Sequence, residues 1–288
     1  MKVWLDGRVV AAAQARIPVT DHGLLYGDGV FEGIRAVGRR VLRLDDHLAR
    51  LRVSAAAIGL VPPLDEGGLR EVVIATLRAL GRDDAYVRLV LTRGEGALGV
   101  DPTTCPRAGL FCIAAEAAIL PAEKRAAGLD LVTVSWRRPG FDLIDPRVKS
   151  PNYLNNALAK QEARQRGADE ALLLNAAGTV AEASVANVFV VHGRQLATPP
   201  PTDGCLQGIT RRTVLELAPG LGLTAGERSL SRTDLLGADE VFRTGTGAGI
   251  VPVRSLDGQA IGAAAPFAVA DRLREGYRER TKVLGVPF

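Results

Sequence analysis

Two prolines bracket a lysine in the segment Asp145-Pro146-Arg147-Val148-Lys149-Ser150-Pro151-Asn152-Tyr153-Leu154-Asn155-Asn156. The prolines restrict the backbone on either side of Lys149, so the segment is predicted to be extended, with a helix directly after it. An amine on such a rigid segment can act as a nucleophile when it is desolvated or lies near other cations. A lone lysine before a helix is, however, more often a solvated surface residue.

Helical and strand patterns mix on both sides of this segment. The N-terminal part is predicted to contain a hairpin over 2–10, helices over 45–59 and 66–80, and strands over 86–92 and 110–115. The C-terminal part is predicted to contain strands over 129–136, 171–174, 187–191 and 240–243, and helices over 152–166, after Thr210 and over 265–283. We therefore predict an α+β protein of two domains, residues 1–118 and 119–288, with Lys149 in the larger C-terminal domain.

Hydrophobic residues make up 47% of the 288-residue chain and charged residues 24%, as in ordinary globular proteins. No apolar run approaches the roughly 18 residues that a membrane-spanning helix needs. The charged N-terminus argues against a signal peptide, and three cysteines without a CxxC pair favour a reducing compartment. We therefore expect a cytoplasmic protein that is not embedded in a membrane.

The chain carries 36 basic and 32 acidic residues, and its net charge is +4. The basic residues are dispersed and no aromatic residues interleave them, which argues against a nucleic-acid partner. The three histidines lie far apart in the sequence and predict no metal site. Lysine is rare beside arginine, so each lysine is a candidate for chemistry that needs an amine: Lys2, Lys124, Lys149, Lys160 and Lys282.

Glu182 lies between an apolar strand pattern and a run of small residues, so its carboxylate is predicted to be partly buried. A buried carboxylate needs a partner. A protonated pyridine nitrogen meets that need, and so does an ordinary arginine. The residues by themselves leave both partners open.

Three features are typical of phosphate sites. Gly208-Ile209-Thr210 opens a predicted helix, and the glycine-rich segment 244–249 follows a predicted strand. Backbone N–H groups at such places bind anions well. Arg50, on the helix predicted over 45–59, can add a bidentate contact to a phosphate.

The segment Gly94-Glu95-Gly96-Ala97-Leu98-Gly99 matches the GxGxxG pattern of dinucleotide-binding loops. That fingerprint must open a helix whose N-terminus holds the pyrophosphate. Pro102 and Pro106 exclude such a helix here. The pattern therefore gives no support for an NAD-dependent oxidoreductase.

Taken in order, these segments resemble the fold-type IV pyridoxal-phosphate enzymes, the class IV aminotransferases. The resemblance covers nearly the whole chain and also includes residues 22–35, 47–51 and 86–88. It implies an α+β fold of the D-amino-acid aminotransferase type with two domains. It also implies that pyridoxal 5'-phosphate binds between the domains and that the protein is a homodimer.

The same resemblance implies a role for each matching residue. Lys149 is implied to form the Schiff base and to move the proton. Glu182 is implied to keep the pyridine nitrogen protonated, so that the ring accepts electrons. Tyr153 is implied to bond to the ring hydroxyl. The residues implied around the phosphate are Arg50, Ile209, Thr210 and Thr246.

Within the family the chain is most similar to branched-chain amino-acid aminotransferases, through residues 31–35, 86–88 and 93–102. This similarity implies transamination of branched-chain L-amino acids with 2-oxoglutarate as the amino acceptor. An apolar pocket with Arg88 at its edge would accept both an apolar side chain and a γ-carboxylate. The substrate residues implied are Tyr26, Arg35, Tyr86 and Arg88, together with Thr246 and Gly247 through their backbone N–H groups.

Two departures from the branched-chain pattern leave alternatives open. Ala248-Gly249 stand where alanine and glutamate usually follow the glycine turn, and Glu116-Ala117-Ala118 replace a segment that is usually aromatic. Both departures remove bulk near the expected side-chain pocket. The alternatives are a D-amino-acid transaminase, an aminodeoxychorismate lyase, an (R)-amine transaminase, or a non-catalytic binding protein of the same fold.

Overall fold

The structure, a computed structural model, describes residues 1–117, 120–262 and 266–288. The chain divides into two compact units: unit 1 contains Met1–Ala118, Val148–Asn152 and Arg280–Phe288, and unit 2 contains Ile119–Arg147 and Tyr153–Glu279. The sequence prediction placed Lys149 with the C-terminal part, whereas here it groups with unit 1. The physical reason is local, because the Phe31 N–H donates to the Lys149 carbonyl at 2.9 Å and the Lys149 N–H donates to Ser54 Oγ at 3.2 Å.

Helices and strands occur in both units, which confirms the α+β class. The strands are β1 (Lys2–Leu5), β2 (Arg8–Ala11), β3 (Gly29–Val37), β4 (Arg40–Val41), β5 (Ala85–Thr92), β6 (Gly109–Glu116), β7 (Leu129–Arg137), β8 (Glu170–Leu174), β9 (Val180–Ala183), β10 (Asn187–His192), β11 (Gln195–Thr198), β12 (Thr224–Glu227), β13 (Glu240–Gly245), β14 (Gly249–Leu256), β15 (Gln259–Ala260) and β16 (Val286–Pro287). The α-helices are α1 (His22–Leu25), α2 (Leu44–Ala57), α3 (Glu66–Leu80), α4 (Ala122–Ala127), α5 (Leu154–Gln165), α6 (Ile209–Leu217), α7 (Arg232–Leu236) and α8 (Ala268–Leu284).

Unit 1 is built on a sheet with the strand order β16-β4-β3-β5-β6-β1-β2. Strands β1 and β2 form the hairpin predicted over 2–10. Helix α3 ends where the sequence predicts, because Gly81 adopts a left-handed φ of 67° that a side chain would strain. Apolar residues of the sheet and of helices α2 and α3 share one core, which includes Ile34, Leu48, Leu51, Leu69, Leu77, Val87 and Leu89.

Unit 2 is built on a sheet with the strand order β12-β11-β10-β13-β14-β7-β8-β9, and β15 pairs with β14. Strands β7 and β8 are parallel, and α5 is the helix between them in sequence. All five residues of β8 are buried, as in strands that are covered on both faces. The helix predicted over 265–283 corresponds to α8, although Ala265 lies outside the described residues. Across the described ranges, no helix has both the length and the apolar character needed to cross a membrane.

Candidate active site

Lys149 does not lie in an extended segment as predicted, because residues 146–147 form a turn and the Ser150 N–H donates to the Val148 carbonyl at 2.9 Å. The helix predicted after it is present as α5. The Lys149 backbone bonds to Phe31 and Ser54, and Val148 packs against the core of unit 1. The half-buried Lys149 side chain places its Nζ 4.5 Å from the centroid of the Phe31 ring. The segment therefore holds an amine at a defined place beside β3.

One face of the β3–β5 pair collects three of the residues expected near a substrate, Arg35, Tyr86 and Arg88, together with Gly33. Gly33 is paired with Arg88 and Arg35 with Tyr86, so all four share a face with Phe31, two residues before Gly33. The Arg88 guanidinium carbon lies 3.7 Å from the Phe31 ring centroid. A Cβ on Gly33 would come within 2.2 Å of the Tyr86 hydroxyl, so only glycine leaves room for this tyrosine. This face combines an aromatic ring, a phenol and two guanidinium groups.

Arg50 is not a solvated surface residue, because it pairs with Glu32 on the opposite face of β3. Its Nε donates to Oε1 of Glu32 and its Nη2 donates to Oε2, each at 2.7 Å, and His47 Nδ1 lies 2.7 Å from the same Oε2. Burial by itself would raise the pKa of Glu32, but the charges and hydrogen bonds of Arg50 and His47 bring it to about 2. Burial also lowers the pKa of His47, against the opposing effect of Glu32.

Tyr26 directly follows α1. Its hydroxyl accepts a hydrogen bond from the Gly99 N–H at 2.8 Å, and its ring packs edge-on against His22. The segment 94–99, which the structure describes in full, opens no α-helix. Between this segment and β6 the chain forms a three-residue 3-10 helix, Pro102–Thr104. The prediction that this glycine segment does not open an α-helix is confirmed.

Glu182 is a buried carboxylate on β9, 5% exposed, as the sequence predicts. Arg138 Nη2 lies 2.8 Å from its Oε1, and the Leu206 N–H donates to its Oε2 at 3.1 Å. Asn187 Nδ2 also donates to Oε2, at 3.4 Å. The arginine partner left open by the sequence is therefore present. A carboxylate has about four acceptor positions, so these contacts leave capacity for a further donor.

The start of α6 has the features of an anion site. Ile209 and Thr210 occupy its first turn, where backbone N–H groups have no partner within the helix. In the described parts of the chain, the buried hydroxyls of Thr210 and Thr244 have no hydrogen-bond partner. Gly208 has no room for a side chain, because a Cβ there would lie 2.0 Å from Asn187 Oδ1. Two unsatisfied buried hydroxyls near the start of a helix indicate an external acceptor.

Thr246 and Gly247 lie in the tight turn between β13 and β14, where Gly245 pairs with Gly249. Both turn residues are half-buried, and Ala248 packs against the core of unit 2. Gly249 has a left-handed φ of 72°, which gives a physical reason for glycine rather than glutamate at this position. In Glu116-Ala117-Ala118, the other segment that departs from the branched-chain pattern, Ala118 lies outside the described residues.

Each unit thus gathers part of the residue set expected from the sequence. Unit 1 contains Tyr26, Arg35, Arg50, Tyr86, Arg88 and Lys149, and unit 2 contains Tyr153, Glu182, Ile209, Thr210, Thr246 and Gly247. Sequence reasoning gave no individual role to Glu32, His47, Arg138 or Thr244. For Thr244 a signal existed, because it opens the glycine-rich segment 244–249, although its pairing with Asn187 is visible only in the structure. For the other three, the partner lies far away in the sequence.

Comparisons with known proteins agree on one family. The family model for class IV amino-transferases matches residues 29–256. A Methanocaldococcus jannaschii protein, provisionally named a branched-chain-amino-acid aminotransferase, is 44% identical over 98% of this chain and 97% of its own length. The branched-chain-amino-acid aminotransferase of Pseudomonas aeruginosa is 35% identical over 96% of this chain and 91% of its own. The solved T.th. branched-chain amino acid aminotransferase, complexed with N-(5'-phosphopyridoxyl)-L-glutamate, matches with a TM-score of 0.90 and 36% identity, covering 98% of this chain and 94% of that chain.

Proposed function

The chain belongs to the class IV aminotransferases, and from this premise we propose that it transfers amino groups between branched-chain L-amino acids and 2-oxoglutarate. It is an aminotransferase that depends on pyridoxal 5'-phosphate. The substrates and the role of each residue are the proposed parts. They rest on the contacts described above and on the family's pattern.

The residues around the start of α6 fit the phosphate of this cofactor. The unpartnered hydroxyls of Thr210 and Thr244 and the first backbone N–H groups of the helix all need acceptors, which a phosphate supplies. We assign the phosphate to Ile209, Thr210 and Thr246, with Arg50 as its charged partner. Thr244 is a further donor on the same grounds.

Bound pyridoxal phosphate supplies an aldehyde carbon that takes up the amino group and a ring that withdraws electrons. Lys149 Nζ would bond to that carbon by condensing with the aldehyde, with loss of water, and would be released when the substrate amine takes its place. The freed Nζ would then accept the proton from the substrate Cα. Glu182 would hold a proton on the ring nitrogen by accepting a hydrogen bond from it through the buried carboxylate that Arg138 orients. Tyr153 would hydrogen-bond to the ring hydroxyl.

One observation carries the substrate proposal: the ring of Phe31 contacts both the Lys149 amine and the Arg88 guanidinium. An apolar surface beside the reacting amine suits a branched side chain. A guanidinium on the same ring suits the distal carboxylate of glutamate or 2-oxoglutarate. Tyr86, Thr246 and Gly247 are assigned to the α-carboxylate, and Tyr26 and Arg35 to the wall of the substrate site.

A panel of half-reactions tests this function. Purified protein is mixed with single amino acids, and loss of the visible absorbance band of the bound cofactor is followed. We expect L-leucine, L-isoleucine, L-valine and L-glutamate to react. Conversion of D-alanine or D-glutamate without L-leucine would replace the proposal by D-amino-acid transamination, one of the alternatives that Ala248-Gly249 leave open. Release of pyruvate from aminodeoxychorismate would indicate the lyase.

We also propose a homodimer that works in the cytoplasm. The three cysteines are unpaired, which suits a reducing compartment. The apolar residues Leu98 and Val100 of unit 1 are 82% and 79% exposed. A partner copy would cover them. Sedimentation or light scattering of the holoenzyme measures the assembly, and a monomeric mass would contradict it.

A further inference from the structure

Glu32 is a charged residue in the core of unit 1, with 0% of its side chain exposed. It belongs to β3, and both of its charged partners, His47 and Arg50, belong to α2. Arg50 is itself only 14% exposed. The three side chains therefore form a buried cluster, here called the Glu32 cluster, between the sheet and the helix.

Stability alone is a weak reason for such a cluster. Removing two charges from water carries a large desolvation cost, and apolar residues of similar size often serve a core equally well or better. A buried ion pair is best understood where it fixes a geometry that function requires. Arg50 is the residue in this cluster for which a function has been proposed.

The geometry of the Glu32 cluster fixes the Arg50 guanidinium in plane and rotation. Two parallel hydrogen bonds, from Nε and Nη2, leave little rotational freedom. Both bonds engage the guanidinium through the edge formed by Nε and Nη2, which sets its plane against the carboxylate. His47 Nδ1, 2.7 Å from Oε2, fixes the carboxylate in turn.

We propose that Glu32 and His47 are positioning residues that hold Arg50 in the orientation that binds the phosphate of pyridoxal phosphate. The proposal rests on the assignment of Arg50 to the phosphate made above. Glu32 and His47 act through Arg50 and do not contact the cofactor themselves. Their effect should therefore concern the phosphate and not the pyridine ring.

The test compares the binding of pyridoxal phosphate with that of pyridoxal, which lacks the phosphate, to apoenzyme variants. We expect Glu32→Gln to weaken pyridoxal phosphate binding by about tenfold or more, the scale of one hydrogen bond to a charged group. Pyridoxal binding should not change. Glu66→Gln is the matched control. Glu66 of α3 pairs at the surface with Arg52, which belongs to α2 like Arg50, and the Arg52 Nη1 to Glu66 Oε2 distance is 2.9 Å. The control should bind both probes as the wild type does.

His47 supplies a second pair of variants if Glu32→Gln does not fold. His47→Asn keeps a donor near the position of Nδ1 and should retain phosphate-selective binding. His47→Leu removes the donor and should weaken pyridoxal phosphate binding alone. Equal weakening of both probes in His47→Leu would show a merely structural role and overturn the proposal.

A double-variant comparison separates this inference from the function it rests on. Arg50→Ala should weaken pyridoxal phosphate binding, and adding Glu32→Gln to Arg50→Ala should cause no further phosphate-selective loss. If Arg50→Ala has no effect, both the phosphate assignment and the positioning role fail. If Arg50→Ala weakens binding but Glu32→Gln and His47→Leu do not, the assignment stands and the positioning role is wrong.

Discussion

The amine of Lys149 is held by its backbone, and the carboxylate of Glu182 by its charged and polar neighbours. Lys149 belongs to a proline-bracketed segment whose main chain bonds to β3 and α2. Glu182 is held by Arg138, Leu206 and Asn187. Each residue therefore has a defined place before any ligand binds, which reduces the reorganisation needed during a reaction.

Lys149→Ala should abolish the borohydride-reducible link to the cofactor and nearly all turnover, because no other amine replaces it. Peptide mapping of reduced wild-type protein checks the assignment, and Lys282→Ala, an exposed lysine, serves as control. Labelling of Lys124 or Lys160 in the wild type would show that the assignment is wrong.

Glu182→Gln should lower turnover by about 100-fold or more, the scale of one lost preorganised electrostatic contact. The amide keeps the shape of the carboxylate but not its charge, so the ring nitrogen would lose its proton while the cofactor still binds. Single-turnover rates with measured cofactor occupancy provide the test. A variant with nearly normal turnover would exclude this role.

Arg88→Ala should impair the half-reaction with glutamate more than that with leucine, by about tenfold or more. The distal carboxylate of glutamate needs a charged partner, whereas an apolar side chain does not. The ratio of kcat/KM for the two substrates is the measurement. Equal loss with both would place Arg88 at the α-carboxylate instead.

Strand β3 carries the residues proposed for the substrate on one face and Glu32 of the buried ion pair on the other. Its alternate residues point to opposite faces, so Phe31 and Gly33 share the face of Tyr86 and Arg88, while Glu32 faces α2. Eight consecutive residue pairs with β5 hold this register. A slip of one residue would exchange the two faces.

Gly33→Ala should raise KM for amino acids by about tenfold or more while leaving cofactor binding unchanged. The new methyl group would meet the Tyr86 hydroxyl at 2.2 Å, so the tyrosine must move, and misplacement by about 1 Å is costly in a reacting site. Steady-state kinetics beside cofactor titration make the measurement. Gly67→Ala in α3, where the nearest atom is 3.5 Å away, is the control. An unchanged KM in Gly33→Ala would remove Tyr86 from the substrate site.

The folding of the entire chain should respond to acid through Glu32. Its pKa is about 2 in the folded protein and 4.5 ordinarily, so the unfolded chain takes up a proton first as the pH falls. The ionised Glu32 carboxylate therefore adds to the free energy of unfolding, fully so above pH 4.5. This contribution, about 3 kcal/mol, is lost as the pH falls through about 2. Urea unfolding of wild type and Glu32→Gln from about pH 6 to about pH 2.5 measures it. The difference between the two should shrink towards low pH; a constant difference would contradict the prediction.

Much of the local structure could be predicted from short patterns. Helix periodicity and a terminal glycine located α3, and the Asp6-Gly7 turn located the first hairpin. The prolines around Lys149 correctly indicated that a helix begins after it, but the segment itself turns and is not extended. The order of motifs indicated the family. These features depend on residues a few positions apart, and backbone preferences act over that range.

The pairing of buried charges depended on tertiary structure. Glu32 and Arg50 are 18 positions apart, and no local pattern distinguishes this arginine from a solvated one. The same holds for Arg138 beside Glu182, and for the grouping of Lys149 with unit 1. Such contacts form only when sheets and helices pack, because a buried charge then has to find its partner among residues that packing has brought near.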